Sequence, residues 1–356
     1  MHIEPQYACF GKNIYDGEDM GVTRFIFAIF VVVSHLADNS FFSHWGVFAV
    51  TGFYVFSGYL ITRVLVEVYR FQPKAFWENR FLRLFPMYYF VAFITLLLIL
   101  YVFPDAANYH PAYAVSNRWR AIFGNLLLFP FDWYEPSFRL VPPTWSVGVE
   151  LINYFFLWLY IARSKRTAMI SFVVASSIHI WIYCFSNGGW RVSYAPSYAV
   201  LLPFTLGSVI YYFGSKIQLQ KYWGIISGLF IANLIVTGLM GGASYIYFQE
   251  FFYCNIVIVS LLVAAIRNVR IKWDKFFGNL AYPVFLTHWL IGLVLVHVFN
   301  LAYRGLEILA FTLPATLVTS FLLVRLQEVF IERVRDRIRS THLMKLGKMH
   351  NKFDVS

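Results

Sequence analysis

The chain has 356 residues, 59% of them hydrophobic and only 13% charged, with a mean hydropathy of +0.61. A water-soluble domain carries about 25% charged residues, so this chain has too little polar surface to cover a water-facing globule. The net charge of +11 does not point to nucleic acid, because the basic residues sit in short segments between apolar runs. The cysteines, Cys9, Cys184 and Cys254, are scattered, odd in number and without CxxC spacing, which excludes a disulfide framework or a zinc site as the organising principle.

Residues 1–20 are polar and acidic, with Lys12 their only Lys or Arg. No basic segment or small-residue cleavage site precedes the first apolar run, so that run reads as an uncleaved span. Apolar runs follow at 22–37, 46–66, 86–103, 144–162, 167–185, 197–213, 223–241, 251–266, 280–299 and 306–330. Each is near the ~20 residues that a helix needs to cross a bilayer. Open strands cannot satisfy their backbone in lipid, so helices are the reading. The expected fold is an all-α polytopic membrane bundle of about ten transmembrane helices. It divides into an N-terminal segment (1–20), a transmembrane domain (21–332) and a basic tail (333–356). The run 197–213 is the least regular, because it holds Pro203 and Gly207.

Charge supports this division. With the N-terminus inside, 22 of the 29 Lys and Arg residues fall in inner segments. Five (Arg118, Arg120, Arg139, Arg191 and Arg304) fall in outer ones, and Arg24 and Arg325 lie within spans. The positive-inside rule then gives cytoplasmic termini. Two segments are not plain loops. Residues 67–85 mix cations with aromatics and read as an amphipathic element along the inner face. Residues 104–143 form a long outer segment with Tyr109, Tyr113, Trp119, Trp133 and Tyr134; these aromatics suit either sugar stacking or an interfacial belt.

Polar groups inside apolar spans are expensive and each needs a reason. In the first span, Arg24 and His35 are eleven residues apart, on nearly one helical face and about 16 Å apart along the axis. Arg24 sits where it can snorkel to the inner interface. His35 sits near the outer end, where a neutral imidazole suits general-base work on a hydroxyl; a histidine bonded to backbone is the alternative. In the second span Gly52 and Gly58 read as helix-packing residues, and Ser57 can shape a polar cavity. Arg80 and Arg83, at i and i+3, suit phosphate or simply supply inner-face charge for anionic lipid. The fourth span opens at Pro142, Pro143 and Thr144 and puts Glu150 about two turns into the membrane. That depth matches His35, so the two are expected to share a cavity, unless Glu150 serves a structural pair. Tyr282 and His288 fall in the ninth span, where His288 lines the cavity or bonds a neighbouring helix. His179 reads as structural, and Glu332 as half of a surface ion pair.

In order along the chain stand Arg24 and His35, the small-residue span FSGYLIT, then NRFLRLFP, PTWSVGVE, LGNLAYPVFLTH and IER. This series resembles the acyltransferase-3 family of membrane O-acyltransferases from about residue 18 to residue 335. The resemblance implies a ten-helix enzyme of the bacterial inner membrane that moves an acyl group, commonly acetyl from acetyl-CoA, onto a carbohydrate or glycolipid hydroxyl, with no metal. It implies a catalytic role for His35, with Glu150 at the family's acidic position after Trp145 and Ser146. It implies acyl-CoA handling for Arg24, Arg80 and Arg83. Ser57, Trp145, Ser146, Tyr282 and His288 are the expected cavity or substrate residues. Val334 stands where a proline is common, YDGEDMGVTRF matches the family's opening only loosely, and no SGNH-hydrolase-type domain is expected after the membrane part. Two other functions fit intramembrane His, Glu and Arg less well. A secondary transporter or flippase often shows inverted repeats, and none is visible. A scaffold needs no such polar constellation.

Overall fold

The computed structural model describes residues 20–129, 138–186, 188–216, 218–269, 271–334 and 337. Among them, ten long helices coincide with the ten apolar runs. They are α1 Gly21–Leu36, α2 Trp45–Arg63, α3 Pro73–Tyr101, α6 Trp145–Leu159, α7 Lys165–Phe185, α9 Ser197–Phe213, α10 Trp223–Leu239, α11 Phe248–Ile266, α12 Asp274–Phe299 and α13 Leu306–Gln327. Short helices α4 (Ala106–Tyr109), α5 (Trp119–Leu127) and α8 (Trp190–Tyr194) lie in the connections. Eight of the long helices have the length and apolarity to cross a membrane; α1, at 16 residues, and α6, at 15, are shorter. The described residues contain no strand.

The irregular run 197–213 is an unbroken helix, with Pro203 and Gly207 inside it. Its glycine is there for packing. A Cβ on Gly207 would lie 2.3 Å from the Val55 carbonyl oxygen, and one on Gly58 would lie 2.2 Å from that of Phe204, so α2 and α9 meet backbone to backbone. Without a hydrophobic drive between helices in lipid, such close approach is a main source of association. Gly52 instead leaves room for a side chain, the Phe27 ring of α1.

One expectation is corrected. Residues 73–85 are not a separate element along the inner face: they are the first turns of α3, which runs 29 residues through Pro86. The charged start of this helix and the apolar rest are continuous because Pro73 at the first turn starts it and Pro86 does not break it. Before it, α2 widens into a π-helical turn (Val64–Tyr69) and ends on Arg70 and Phe71, both at positive φ. That strained corner is held by the Trp158 indole N–H, which donates to the Phe71 carbonyl (3.0 Å), and by Arg163, whose guanidinium lies 4.3 Å from the Phe71 ring.

The second helix α2 lies at the centre, packed on α1, α9, α11 and α6. On its other flank α1 packs along α12. The two helices run in the same direction with a constant offset: Gly21 meets Asp274 and His35 meets His288, each pair 253 residues apart. The outward faces carry Phe90 and Phe93 on α3 and Ile180 and Trp181 on α7, all exposed, as lipid requires. His179 is structural in geometry: Nε2 lies 2.7 Å from the Ala199 carbonyl and Nδ1 lies 3.1 Å from the Tyr253 hydroxyl.

Candidate active site

The parallel pair α1 and α12 sets the site. Asp274, 7% exposed, caps α1 with both carboxylate oxygens: the Gly21 N–H donates to Oδ2 (2.7 Å) and the Val22 N–H to Oδ1 (2.9 Å). A helix N-terminus favours a carboxylate, and here the cap comes from a partner helix. One turn on, Arg24 reaches past Gly278, where a Cβ would lie 2.9 Å from its Nη2. The guanidinium thereby enters a cavity of about 130 Å3 between α1, α2, α3, α6 and α12.

Seven of the expected residues line that cavity: Arg24, Ser57, Arg80, Arg83, Ser146, Glu150 and Tyr282. The α3 pair Arg80 and Arg83 is one turn apart, and Arg80 is 7% exposed with its guanidinium 5.7 Å from the Phe76 ring. From α12 the Tyr282 hydroxyl donates to the Leu84 carbonyl (3.0 Å), tying that helix to the arginine turn of α3. From α6, Glu150 Oε1 accepts from the Ser57 hydroxyl and from the Tyr154 hydroxyl (2.6 Å). Three guanidiniums and one carboxylate leave the lining cationic. A cationic cavity inside an apolar bundle is a place for an anionic ligand.

The histidines lie elsewhere. His35 Nδ1 is 2.9 Å from His288 Nε2, the two rings nearly parallel with centroids 5.2 Å apart. Neither lines the arginine cavity. The expected pairing of His35 with Glu150 is therefore replaced: the partner of His35 is His288, and Glu150 bonds Ser57 and Tyr154. Depth in the membrane had suggested the first pairing, but helix order decides it, because α12 rather than α6 lies along α1. Trp145 also lies away from the cavity, edge-on to Tyr194 at 5.5 Å. Phe285 of α12 adjoins both regions: it lines the cavity, and its ring centroid is 6.4 Å from that of His288.

The tautomers follow from the partners. His288 Nδ1 lies 3.2 Å from the Val284 carbonyl, which only accepts, so that nitrogen carries the proton. His288 Nε2 is then an acceptor, and His35 Nδ1 donates to it. The Nε2 of His35 is left with a lone pair, the form a general base needs.

Around this pair gathers a cluster that sequence reasoning had not assembled. Trp289, 3% exposed, lies 5.3 Å from the His35 ring and 4.3 Å from that of His110. Arg304, half-buried in the α12–α13 connection, donates to the backbone carbonyl of His35, and its guanidinium stacks 4.2 Å from the Trp289 ring. Burial lowers the Arg304 pKa from its ordinary value. Burial, with Arg304 and Arg139 nearby, pushes His110 down to about 4, so this imidazole is neutral at physiological pH. Tyr109 and Tyr113 are each 3% exposed and so do not form a surface belt; Trp119 is exposed, and Trp133 and Tyr134 lie outside the described residues. Tyr154 and Arg304 each left a sequence signal. Tyr154 falls one helical turn after Glu150, and Arg304 is one of five outer cations. The role of Asp274 left none. Much of the terminal segments and the Glu332 side chain also lie outside the described residues.

A helix bundle of this apolarity, with arginines, a carboxylate and paired imidazoles at its centre, is a polytopic membrane protein with an intramembrane polar site. Residues 18–325 match the model of the acyltransferase-3 domain family, and the chain belongs to that family; it is an acyltransferase. It is 26% identical to an uncharacterised protein of Aquifex aeolicus (strain VF5) over 219 residues, 56% of this chain and 91% of that one. It is 29% identical over 147 residues to the peptidoglycan O-acetyltransferase OatA of Listeria monocytogenes, 38% of this chain and 22% of that one. It is 28% identical over 183 residues to the putative peptidoglycan O-acetyltransferase YrhL of Bacillus subtilis, 46% of this chain and 28% of that one. The match thus spans under a third of either O-acetyltransferase. No solved structure matches significantly.

Proposed function

We propose that this acyltransferase moves an acetyl group from acetyl-CoA, taken from the cytoplasm, to a hydroxyl of a carbohydrate or glycolipid at the outer side of the inner membrane. The observation that carries the reading is the layout along α1 and α12. A cavity lined by Arg24, Arg80 and Arg83 lies toward one end, and a tautomerically defined histidine pair lies beyond it, with His35 about 16 Å from Arg24 along the helix axis. Phosphates of the donor suit the arginines, which make paired charged hydrogen bonds. The thioester arm extends past Phe285 toward His35.

His35 Nε2 then takes the proton of the acceptor hydroxyl as its oxygen attacks the thioester carbonyl. The imidazolium that forms is held through Nδ1–H by His288 Nε2. Collapse of the tetrahedral intermediate breaks the carbon–sulfur bond, and the departing thiolate takes the proton from His35 as free CoA forms. Glu150 tunes the donor cavity rather than His35. The names of two relatives point to a cell-wall glycan as the acceptor class. The test is transfer of radiolabelled acetyl from acetyl-CoA in proteoliposomes. The His35→Ala variant inserts and folds but loses transfer; full transfer by that variant rejects the reading. Substrate flux without consumption of acetyl-CoA would favour a transporter instead.

A further inference from the structure

Arg304 is a half-buried cation placed one backbone carbonyl from His35, and the proposed donor chemistry does not use it. It is fixed from two sides. One nitrogen donates to the His35 carbonyl, and the guanidinium plane lies on Trp289, itself buried. The next residue, Gly305, donates its N–H to the Leu36 carbonyl (2.7 Å), which holds the connection against the end of α1. Among the described residues no carboxylate lies within ion-pair distance of this guanidinium. Asp38 acts on it only at longer range, and the other titratable groups around it, Tyr109, Tyr113, His110, His35 and His288, bring no negative charge at neutral pH. Arg139 adds a second positive field at His110. Beside it in sequence, Tyr303 is 39% exposed and meets Tyr109 edge-on at 5.9 Å.

A guanidinium held rigid, partly desolvated and without an ion-paired carboxylate keeps donors for an incoming anion. Its planar fork matches a carboxylate in two parallel hydrogen bonds. An exposed aromatic ring next to it offers an apolar face to a sugar ring. We propose that Arg304 and Tyr303 form an acceptor subsite that recognises a carboxylate-bearing sugar, so that the hydroxyl presented to His35 belongs to an acidic carbohydrate. This rests on the reading of His35 as the base that faces the acceptor. It adds the charge of the acceptor and the residue that selects it.

The experiment measures binding to the full chain in nanodiscs of zwitterionic lipid, without acetyl-CoA. The probes are an oligosaccharide of glucuronic acid residues and its methyl ester, which has the same shape without the charge. The native protein binds the acid at least about tenfold more tightly than the ester, the scale of one charged hydrogen-bonded pair. Arg304→Gln brings the two affinities within about twofold while ester binding stays, and Arg304→Lys keeps part of the preference. Equal binding of acid and ester by the native protein overturns the subsite, as does no measurable binding of the acid or a full preference in Arg304→Gln. Should Arg304→Gln fail to fold, the acid-against-ester comparison on the native protein decides. Failure of the acetyl-transfer reading shows separately, as no acetyl-CoA consumed with any acceptor, and leaves this binding preference measurable.

Discussion

His35 and His288 form a directional pair: Nδ1 of the first lies 2.9 Å from Nε2 of the second, and the second is anchored through its own Nδ1 to the Val284 carbonyl 3.2 Å away. The order of donors fixes which nitrogen of His35 stays basic. On the proposed role of His35 as base, His288 is a positioning residue that would act through His35, in the way an orienting group fixes the tautomer of a catalytic imidazole.

His288→Ala should lower kcat by about 10²-fold or more, the scale of general-base catalysis, while KM for the acyl donor stays near its native value. His288→Gln should recover part of the loss, because its side-chain oxygen can accept from His35 Nδ1–H. Steady-state kinetics in proteoliposomes separates the two. Loss of donor affinity instead of turnover would show that His288 only supports the fold.

The arginine cavity predicts the opposite split. Arg80→Ala and Arg83→Ala should each weaken CoA binding by about ten- to a hundredfold, the value of one charge-assisted hydrogen bond. Arg80→Lys should not restore it fully, because a point charge cannot replace a planar fork. Titration of the detergent-solubilised protein with CoA reads this directly, and an unchanged affinity removes the two residues from the donor site.

Asp274 predicts a loss of stability. Asp274→Ala removes a carboxylate that accepts two N–H groups at the start of α1. The cost should be about 1–2 kcal/mol, read as a lower midpoint of thermal unfolding. Since α1 carries Arg24, donor affinity should fall with it. Asp274→Asn should keep part of both.

His44 predicts a pH dependence. It lies in the turn before α2, is fully buried, and its Nε2 lies 2.9 Å from the Leu234 carbonyl. Burial pushes its pKa down to about 4 from the usual 6.5. Between those values the unfolded chain binds the proton and the folded chain does not. His44 therefore contributes stability above about pH 6.5 that is lost as pH falls toward 4. Thermal midpoints measured from pH 7 to pH 4.5 should fall, and His44→Gln should flatten the decline relative to the native protein.

The helices were legible because lipid permits so few solutions: each apolar run had to be long enough to span and had to close its own hydrogen bonds. The start of α3 was not, since Lys74, Arg80 and Arg83 among aromatics read as a surface element, whereas the chain carries them in on one continuous helix. The arginine cavity was legible residue by residue, because charge in an apolar bundle demands a reason. What the sequence could not supply was adjacency. His35 and His288 are 253 residues apart, and no local pattern says that the first long helix lies along the ninth. Depth alone placed Glu150 with His35, and packing separated them.

Phe285 borders both halves of the site: it lines the arginine cavity, and its ring lies 6.4 Å from that of His288. If, as proposed, the bundle takes one reactant from each side of a bilayer, it risks becoming a wire for protons, with imidazoles and guanidiniums as its stepping stones. An aromatic ring at that border would interrupt such a wire, because its face offers water few hydrogen-bond partners. On the proposed scheme, then, Phe285 would keep protons as well as reactants of the two half-sites apart.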